Sequence, residues 1–289
     1  MSKSRNIHLL VIDPQNDFCD IPDAELPALA SQSASQGHTL ARPALPVAGA
    51  DLDMKRVAHL IDRIGPELHD IHVTLDSHNP VDIAHPTWWN DDGGRAPAPF
   101  TVITARDVAQ GSWKARDPRE QTASANYVAA LEQNGRYLLV VWPEHCLIGS
   151  WGHNVHVEVK GALDRWARRQ MKLVDFVIKG TNPRTEHYSA IQAEVPDPAD
   201  PSTQLNRPLI DAIACADQVI IAGEALSHCV AATVRDIADN IGEDNIGKLV
   251  LLTDCVNPVA GFEKLGNNFL RDLTARGMKT TTSEALRFR

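Results

Sequence analysis

Short, β-branched apolar runs separated by longer amphipathic stretches recur along this chain, and that alternation narrows the fold more than any other feature. Runs at Ile7–Ile12, Ile71–Leu75, Tyr137–Val141, Val174–Ile178, Val219–Ala222 and Leu249–Thr253 are short and mostly apolar, the pattern expected of strands in a parallel sheet. A weaker run, Met278–Thr282, adds an edge strand. Between them, Asp51–His69 places Leu52, Val57, Leu60, Ile61, Ile64 and Leu68 at near-helical spacing. Ala123–Gln133, Leu163–Gln170, Pro208–Ala216, Cys229–Asn240 and Phe262–Arg276 complete the helix set. The pattern predicts an α/β class: a doubly wound, mostly parallel six-stranded sheet with helices on both faces. Stretches rich in Pro, Ala, Gly and Asp near 20–49, 85–117 and 194–206 are expected as long loop insertions in a single domain spanning 1–289.

A net charge of -9 without a basic stripe disfavours a nucleic-acid partner, whose phosphates call for clustered Lys and Arg. The opening MSKSRNIHLLVIDPQND has an apolar run that stops at Asp13, too short for a membrane span and without a cleavage site, so it reads as a first strand. Five cysteines form no CxxC pair, which fits a reducing cytoplasm, and no phosphate-binding glycine loop is present.

In an open parallel sheet the ligand lies beyond the carboxyl ends of the strands, so polar residues that end the apolar runs are the first candidates. Asp13, Asp76, Trp142, Lys179 and Glu224 all stand there. Cys229 opens a helical stretch after Gly223, where free backbone N–H groups and the helix dipole lower a thiol pKa and hold an oxyanion. Alone, such a cysteine is more often a small buried hydrophobe. Asp13 as proton acceptor and Lys179 as cation, at the same sheet edge, supply what a cysteine nucleophile needs. Asp76-Ser-His78 and His145 form a set of two histidines and one carboxylate suited to zinc, iron or manganese, and His85 is a further candidate. His72, His153, His156 and His187 read as ordinary surface or core residues.

Five segments, in order, resemble the isochorismatase-like cysteine hydrolases, and among these the nicotinamidase and pyrazinamidase branch. They are Ile12-Asp-Pro-Gln-Asn-Asp-Phe18, Leu75-Asp-Ser-His-Asn-Pro80, Val141-Trp-Pro-Glu-His-Cys146, Val177-Ile-Lys-Gly-Thr-Asn182 and Gly223-Glu-Ala-Leu-Ser-His-Cys-Val230. The resemblance implies Cys229 as nucleophile, Asp13 as general base, Lys179 as third triad member, and Asp76, His78 and His145 as ligands of a divalent ion. It implies zinc first, leaves His85 open as a ligand, and sets Phe18 and Trp142 around a flat ring. Backbone N–H groups of Ala225 and Cys229 map to the oxyanion hole, and the Glu224–Ala225 bond to a cis peptide. The implied activity is hydrolysis of a small carboxamide, nicotinamide first, by a homo-oligomer. The alternatives are an N-carbamoyl or ureido amidohydrolase and a catalytically silent ligand-binding homologue. The chain departs from many nicotinamidases in reading Ala225-Leu-Ser-His-Cys229 before the thiol, which bears on substrate contacts and leaves the triad residues intact.

Overall fold

One parallel sheet of six strands organises the molecule, and the computed structural model describes residues 5–28 and 40–288 of it. The strands are β1 (Ile7–Ile12), β2 (Leu68–Asp76), β3 (Asp175–Lys179), β4 (Gln218–Gly223), β5 (Leu249–Leu252) and β6 (Lys279–Thr281), in the order β6-β5-β4-β1-β2-β3. Central β1 is buried along its whole length because sheet neighbours and helices cover it on every side, which explains why its run is apolar but for His8. The principal helices are α1 (Ala50–Ile64), α2 (Gln121–Asn134), α3 (Val157–Gln170), α4 (Arg207–Cys215), α5 (Ala231–Ile241) and α6 (Glu263–Ala275).

The chain winds outward from β1 to β2 and then β3, returns to β4, and winds the opposite way through β5 and β6. Right-handed crossovers put helices of the two directions on opposite faces. Accordingly α1 packs on α3, with Trp166 Nε1 donating to the Gly65 carbonyl at 3.1 Å, while α5 contacts both α4 and α6. The winding reverses between β1 and β4, so a crevice opens beyond Ile12 and Gly223.

Two expectations need correction. The run Tyr137–Val141 does not join the main sheet: its core, Leu139–Val140, pairs antiparallel with Val102–Ile103, and the Phe100 N–H bonds the Val141 carbonyl. The run is apolar because it sits beneath an insertion, and residues 279–281 supply the sixth strand instead. The helical pattern drawn through His69 stops at Ile64, where Gly65-Pro66 begins a 3-10 turn and Leu68 already belongs to β2. Its periodicity overran because Leu68 faces the core from a strand.

The stretch near 85–117 is ordered around buried Trp88, Trp89 and Ile103, with a short helix at Ala105–Ala109. In the stretch near 20–49, residues 29–39 lie outside the described ones; the flanks meet at an Ala28–Leu40 bridge. The stretch near 194–206 holds one 3-10 turn. No helix among the described residues is long and apolar enough to cross a membrane.

Gly223 ends β4 at φ +121°, and a Cβ there would land on the Ile12 backbone. Only glycine lets β4 press this closely on β1 while the chain turns toward Cys229.

Candidate active site

Three strand ends and the turn after a fourth bring the polar candidates together. Asp13 follows β1 at φ 44° and is fully buried. Thr74 of β2 grips it: the hydroxyl accepts from the Asp13 N–H at 3.0 Å and donates to Oδ1 at 2.5 Å. Lys179, ending β3, places Nζ 2.9 Å from Asp13 Oδ2, 2.9 Å from Asp76 Oδ1 and 3.6 Å from Cys229 Sγ. A fourth contact goes to the His187 carbonyl at 3.0 Å, so His187, read from sequence as ordinary, belongs to the lysine's cage.

Cys229 lies inside a π turn, Leu226–Val230, that precedes α5, and not in the first turn of an α-helix. The Ala225 carbonyl accepts from the N–H groups of His228 at 3.0 Å and Val230 at 3.1 Å, bonds that straddle Cys229. The Glu224–Ala225 peptide is cis.

The thiol is not the low-pKa group that a helix start had suggested. Burial pushes it well above the ordinary value, Lys179 pulls it down, and Asp13 and Asp76 push it up again. Burial likewise raises Asp13, against the pull of Lys179, and so makes its carboxylate the stronger base. Lys179 stays an ammonium because Asp13 and Asp76 outweigh the burial that opposes its charge. At neutral pH iodoacetamide is therefore expected to label exposed Cys215 before Cys229. Mass mapping of the first alkylated peptide checks this; a Cys229 peptide appearing first would mean that the thiolate is already formed at rest.

Beside the thiol lies a second cluster. His78, His85 and His145 present ring nitrogens within 4.8 Å of one another, all buried. Asp76 Oδ2 stands 3.1 Å from His78 Nε2 and 3.5 Å from His145 Nε2. Hydrogen bonding fixes the tautomers: His78 Nδ1 faces the Asp82 carboxylate at 3.0 Å and His145 Nδ1 the Pro143 carbonyl at 2.9 Å. With Nδ1 donating to these acceptors, each ring points Nε2 at a carboxylate oxygen; burial opposes a charge on His78, but Asp76 and Asp82 hold its pKa well above the ordinary value, so an ion would take the place of the Nε2 proton. Both ring nitrogens of His85 are buried without a hydrogen-bond partner. Lone pairs converging on a carboxylate call for a cation, and this donor set fits a divalent ion with Asp82 as outer support.

A narrow cleft with about 20 Å³ of free space sits over these groups, lined in part by Phe18, Leu45, Trp142, Tyr188, His228 and Val259. Trp142 is pinned by Nε1 donating to Tyr188 Oη at 2.9 Å, and Phe18 meets His145 edge-on at 5.5 Å. A flat aromatic ring enters only when lining side chains part.

Several residues escaped the sequence reading. Glu186 lines the cavity, buried, with Oε2 unpartnered and its pKa raised to about 8 by burial. Gln15 ties the Asp13 loop to β2 by bonding the Asp76 N–H at 2.7 Å and carbonyl at 2.8 Å. Asp17 accepts from the N–H groups of Ala44 and Cys146 at 2.9 and 2.7 Å, and a Cβ at Gly152 would collide with its carboxylate. Gln15 and Asp17 were visible in the segment Ile12–Phe18, whereas Glu186 lies outside every matching segment.

Solved structures share this architecture. The yeast nicotinamidase Pnc1p aligns with a TM-score of 0.60 at 20% identity, covering 95% of this chain and 99% of that one. A nicotinamidase/pyrazinamidase from Acinetobacter baumanii aligns at 0.59 and 19%, covering 99% and 100%. The pyrazinamidase of Pyrococcus horikoshii, solved in complex with zinc, aligns at 0.53 and 18%, covering 96% and 99%. No protein-family model matches the sequence, and no curated protein does. At these identities the likeness establishes a common fold, the one that the five segments implied.

Proposed function

We propose that the chain is a metal-containing cysteine amidohydrolase that converts a small carboxamide to acid and ammonia, with nicotinamide as substrate. The observation that carries this reading is the meeting of Cys229 Sγ, the Asp13 carboxylate and Lys179 Nζ beneath one narrow, aromatic-lined cleft.

Asp13 takes the thiol proton as Sγ attacks the carboxamide carbon, forming C–S while the carbonyl electron pair moves onto oxygen. The thiol's raised pKa makes this transfer concerted with attack, and Lys179 offsets charge on sulfur and carboxylate throughout. The N–H groups of Ala225 and Cys229 are the donors assigned to the oxyanion, each such contact contributing roughly 2.7–4 kcal/mol. When the C=O reforms, the C–N bond breaks and the departing nitrogen takes the proton from Asp13, giving ammonia. Asp13 next takes a proton from water, whose oxygen attacks the thioester; C–S breaks, and sulfur recovers the proton.

Asp76, His78 and His145, with His85 beside them, are the residues that hold a divalent ion, zinc first and iron or manganese as alternatives. Once bound, such an ion supplies a Lewis-acid contact for a heteroatom of the substrate ring. The likeness to a pyrazinamidase solved with zinc supports this choice.

Ammonia release from nicotinamide, benzamide and an N-carbamoyl amide, with and without added zinc, tests the reading. Turnover of nicotinamide in the zinc-loaded protein is the expected result. Preference for the carbamoyl compound would move the assignment to ureido chemistry, and tight binding of one amide without ammonia from any would make the chain a silent ligand-binding homologue.

A further inference from the structure

At the opposite, amino-terminal end of the sheet, a second group of imidazoles joins three strands. Asp175 of β3 faces His72 Nδ1 at 2.8 Å, and His72 Nε2 faces His8 Nδ1 at 3.0 Å. His8 Nε2 in turn faces Asn6 Oδ1 at 3.0 Å and Asp70 Oδ2 at 3.5 Å. His69 Nδ1 meets the same Asp70 oxygen at 2.8 Å. The register explains the crowding: Ile7 pairs with Leu68 but His8 with Asp70, so His69 is the extra residue of a bulge. Its ring lies stacked over His8, with centroids 6.0 Å apart and planes 8° apart.

Protons in this chain can be counted. Asp175 only accepts, so neutral His72 carries its proton on Nδ1 and accepts at Nε2. His8 then carries its own on Nδ1 and turns a bare Nε2 toward Asn6 and Asp70. Turning the Asn6 amide over does not help, because its Nδ2 already donates to the Cys215 carbonyl at 3.1 Å. With both rings neutral, a chain with acceptors at both ends leaves the His8 Nε2 lone pair facing the Asn6 and Asp70 oxygens, three donor atoms turned toward one point. His8, only 3% exposed, is poorly placed to meet those oxygens as an imidazolium.

We propose that this cluster is a second divalent-metal site, suited to zinc, with His8 Nε2, His69 Nδ1, Asp70 Oδ2 and Asn6 Oδ1 as its four donors. The nitrogens and carboxylate of His8, His69 and Asp70 already lie within 4.8 Å of one another, and four N and O donors suit tetrahedral coordination at about 2.0–2.2 Å. The chain His8–His72–Asp175 is the outer support that orients one ligand and raises its basicity. Lys172, a nearby cation, has its Nζ on the His69 carbonyl. The ion joins the starts of β1 and β2, and Asn6 Nδ2 on the Cys215 carbonyl ties this end of the sheet to the end of α4, so the ion's role is to hold the sheet.

Zinc content of the dialysed full-length protein, measured by mass spectrometry and by calorimetric titration after chelation, tests the site. His69→Ala and Asp70→Asn are each expected to bind one zinc fewer per chain than wild type while releasing ammonia from amides at the wild-type rate. Asp175→Asn, at the exposed end of the support, is expected to keep the site but weaken it by about 10–100-fold. Equal zinc content in wild type, His69→Ala and Asp70→Asn would overturn the proposal. So would imidazole nitrogen resonances that show a His8–His72 pair sharing one extra proton in zinc-saturated protein.

Discussion

Replacing Cys229 by Ala should lower ammonia release by about 10⁴-fold or more, because the bond-forming atom is lost and the remaining groups only position the amide. Cys19→Ala, Cys215→Ala and Cys255→Ala should keep most of the activity. Their sulfurs serve other ends: Cys19 Sγ donates to the Gln15 carbonyl at 3.3 Å, Cys215 is exposed on α4, and Cys255 lies buried after β5 with Sγ 3.6 Å from Asp254. Losing one sulfur from a site that keeps its backbone bonds should change folding stability by no more than about 1–2 kcal/mol. Urea titration monitored by circular dichroism separates lost chemistry from a lost fold. A Cys229→Ala protein that hydrolysed amide at the wild-type rate would remove the thioester route and leave only metal-assisted attack by water.

What the sequence made legible follows from how local each signal is. The strand ends could be read because a charge closing an apolar run marks its end, which placed Asp13, Asp76 and Lys179 at one edge; that β3 is an exposed edge strand, with Phe176 and Ile178 open to solvent, could not be read from its apolar run. The sheet membership of Leu139–Val140 could not be read: an apolar run buried by an insertion looks the same as one buried by a sheet. The thiol's raised pKa is hidden from the sequence for a related reason. A helix start is visible in the sequence, but the burial that outweighs its dipole comes from Leu45, Trp142 and Val259, brought in by distant loops. Tautomers were equally hidden. Nothing near His78 in the chain says that Asp82 fixes its Nδ1, and nothing near His8 shows a strand bulge setting His69 beside it.

The metal cluster carries the sharper test of substrate. Stacking between aromatic side chains serves any flat ring, so it cannot separate nicotinamide from benzamide, which lacks only the ring nitrogen. A contact built for that nitrogen can, since a site with a polar partner rejects an analogue lacking it by roughly 10⁴-fold. Nicotinamide is therefore expected to exceed benzamide in kcat/KM by about that factor in zinc-loaded protein. His78→Ala or chelation should shrink the ratio chiefly by slowing nicotinamide, because benzamide never made the contact. Asp82→Asn gives a gentler version: the ligand stays, its Nδ1 loses the carboxylate that orients it at 3.0 Å, and zinc affinity should fall by about 10–100-fold. At limiting zinc the Asp82→Asn ratio should fall with occupancy and return when zinc is raised, which a folding defect would not do. Steady-state kinetics on both amides across a zinc series decides the matter. A ratio that stays high without zinc would show that the ring nitrogen is read by another group, and buried Glu186, whose carboxyl keeps a proton up to about pH 8, is the donor to replace next.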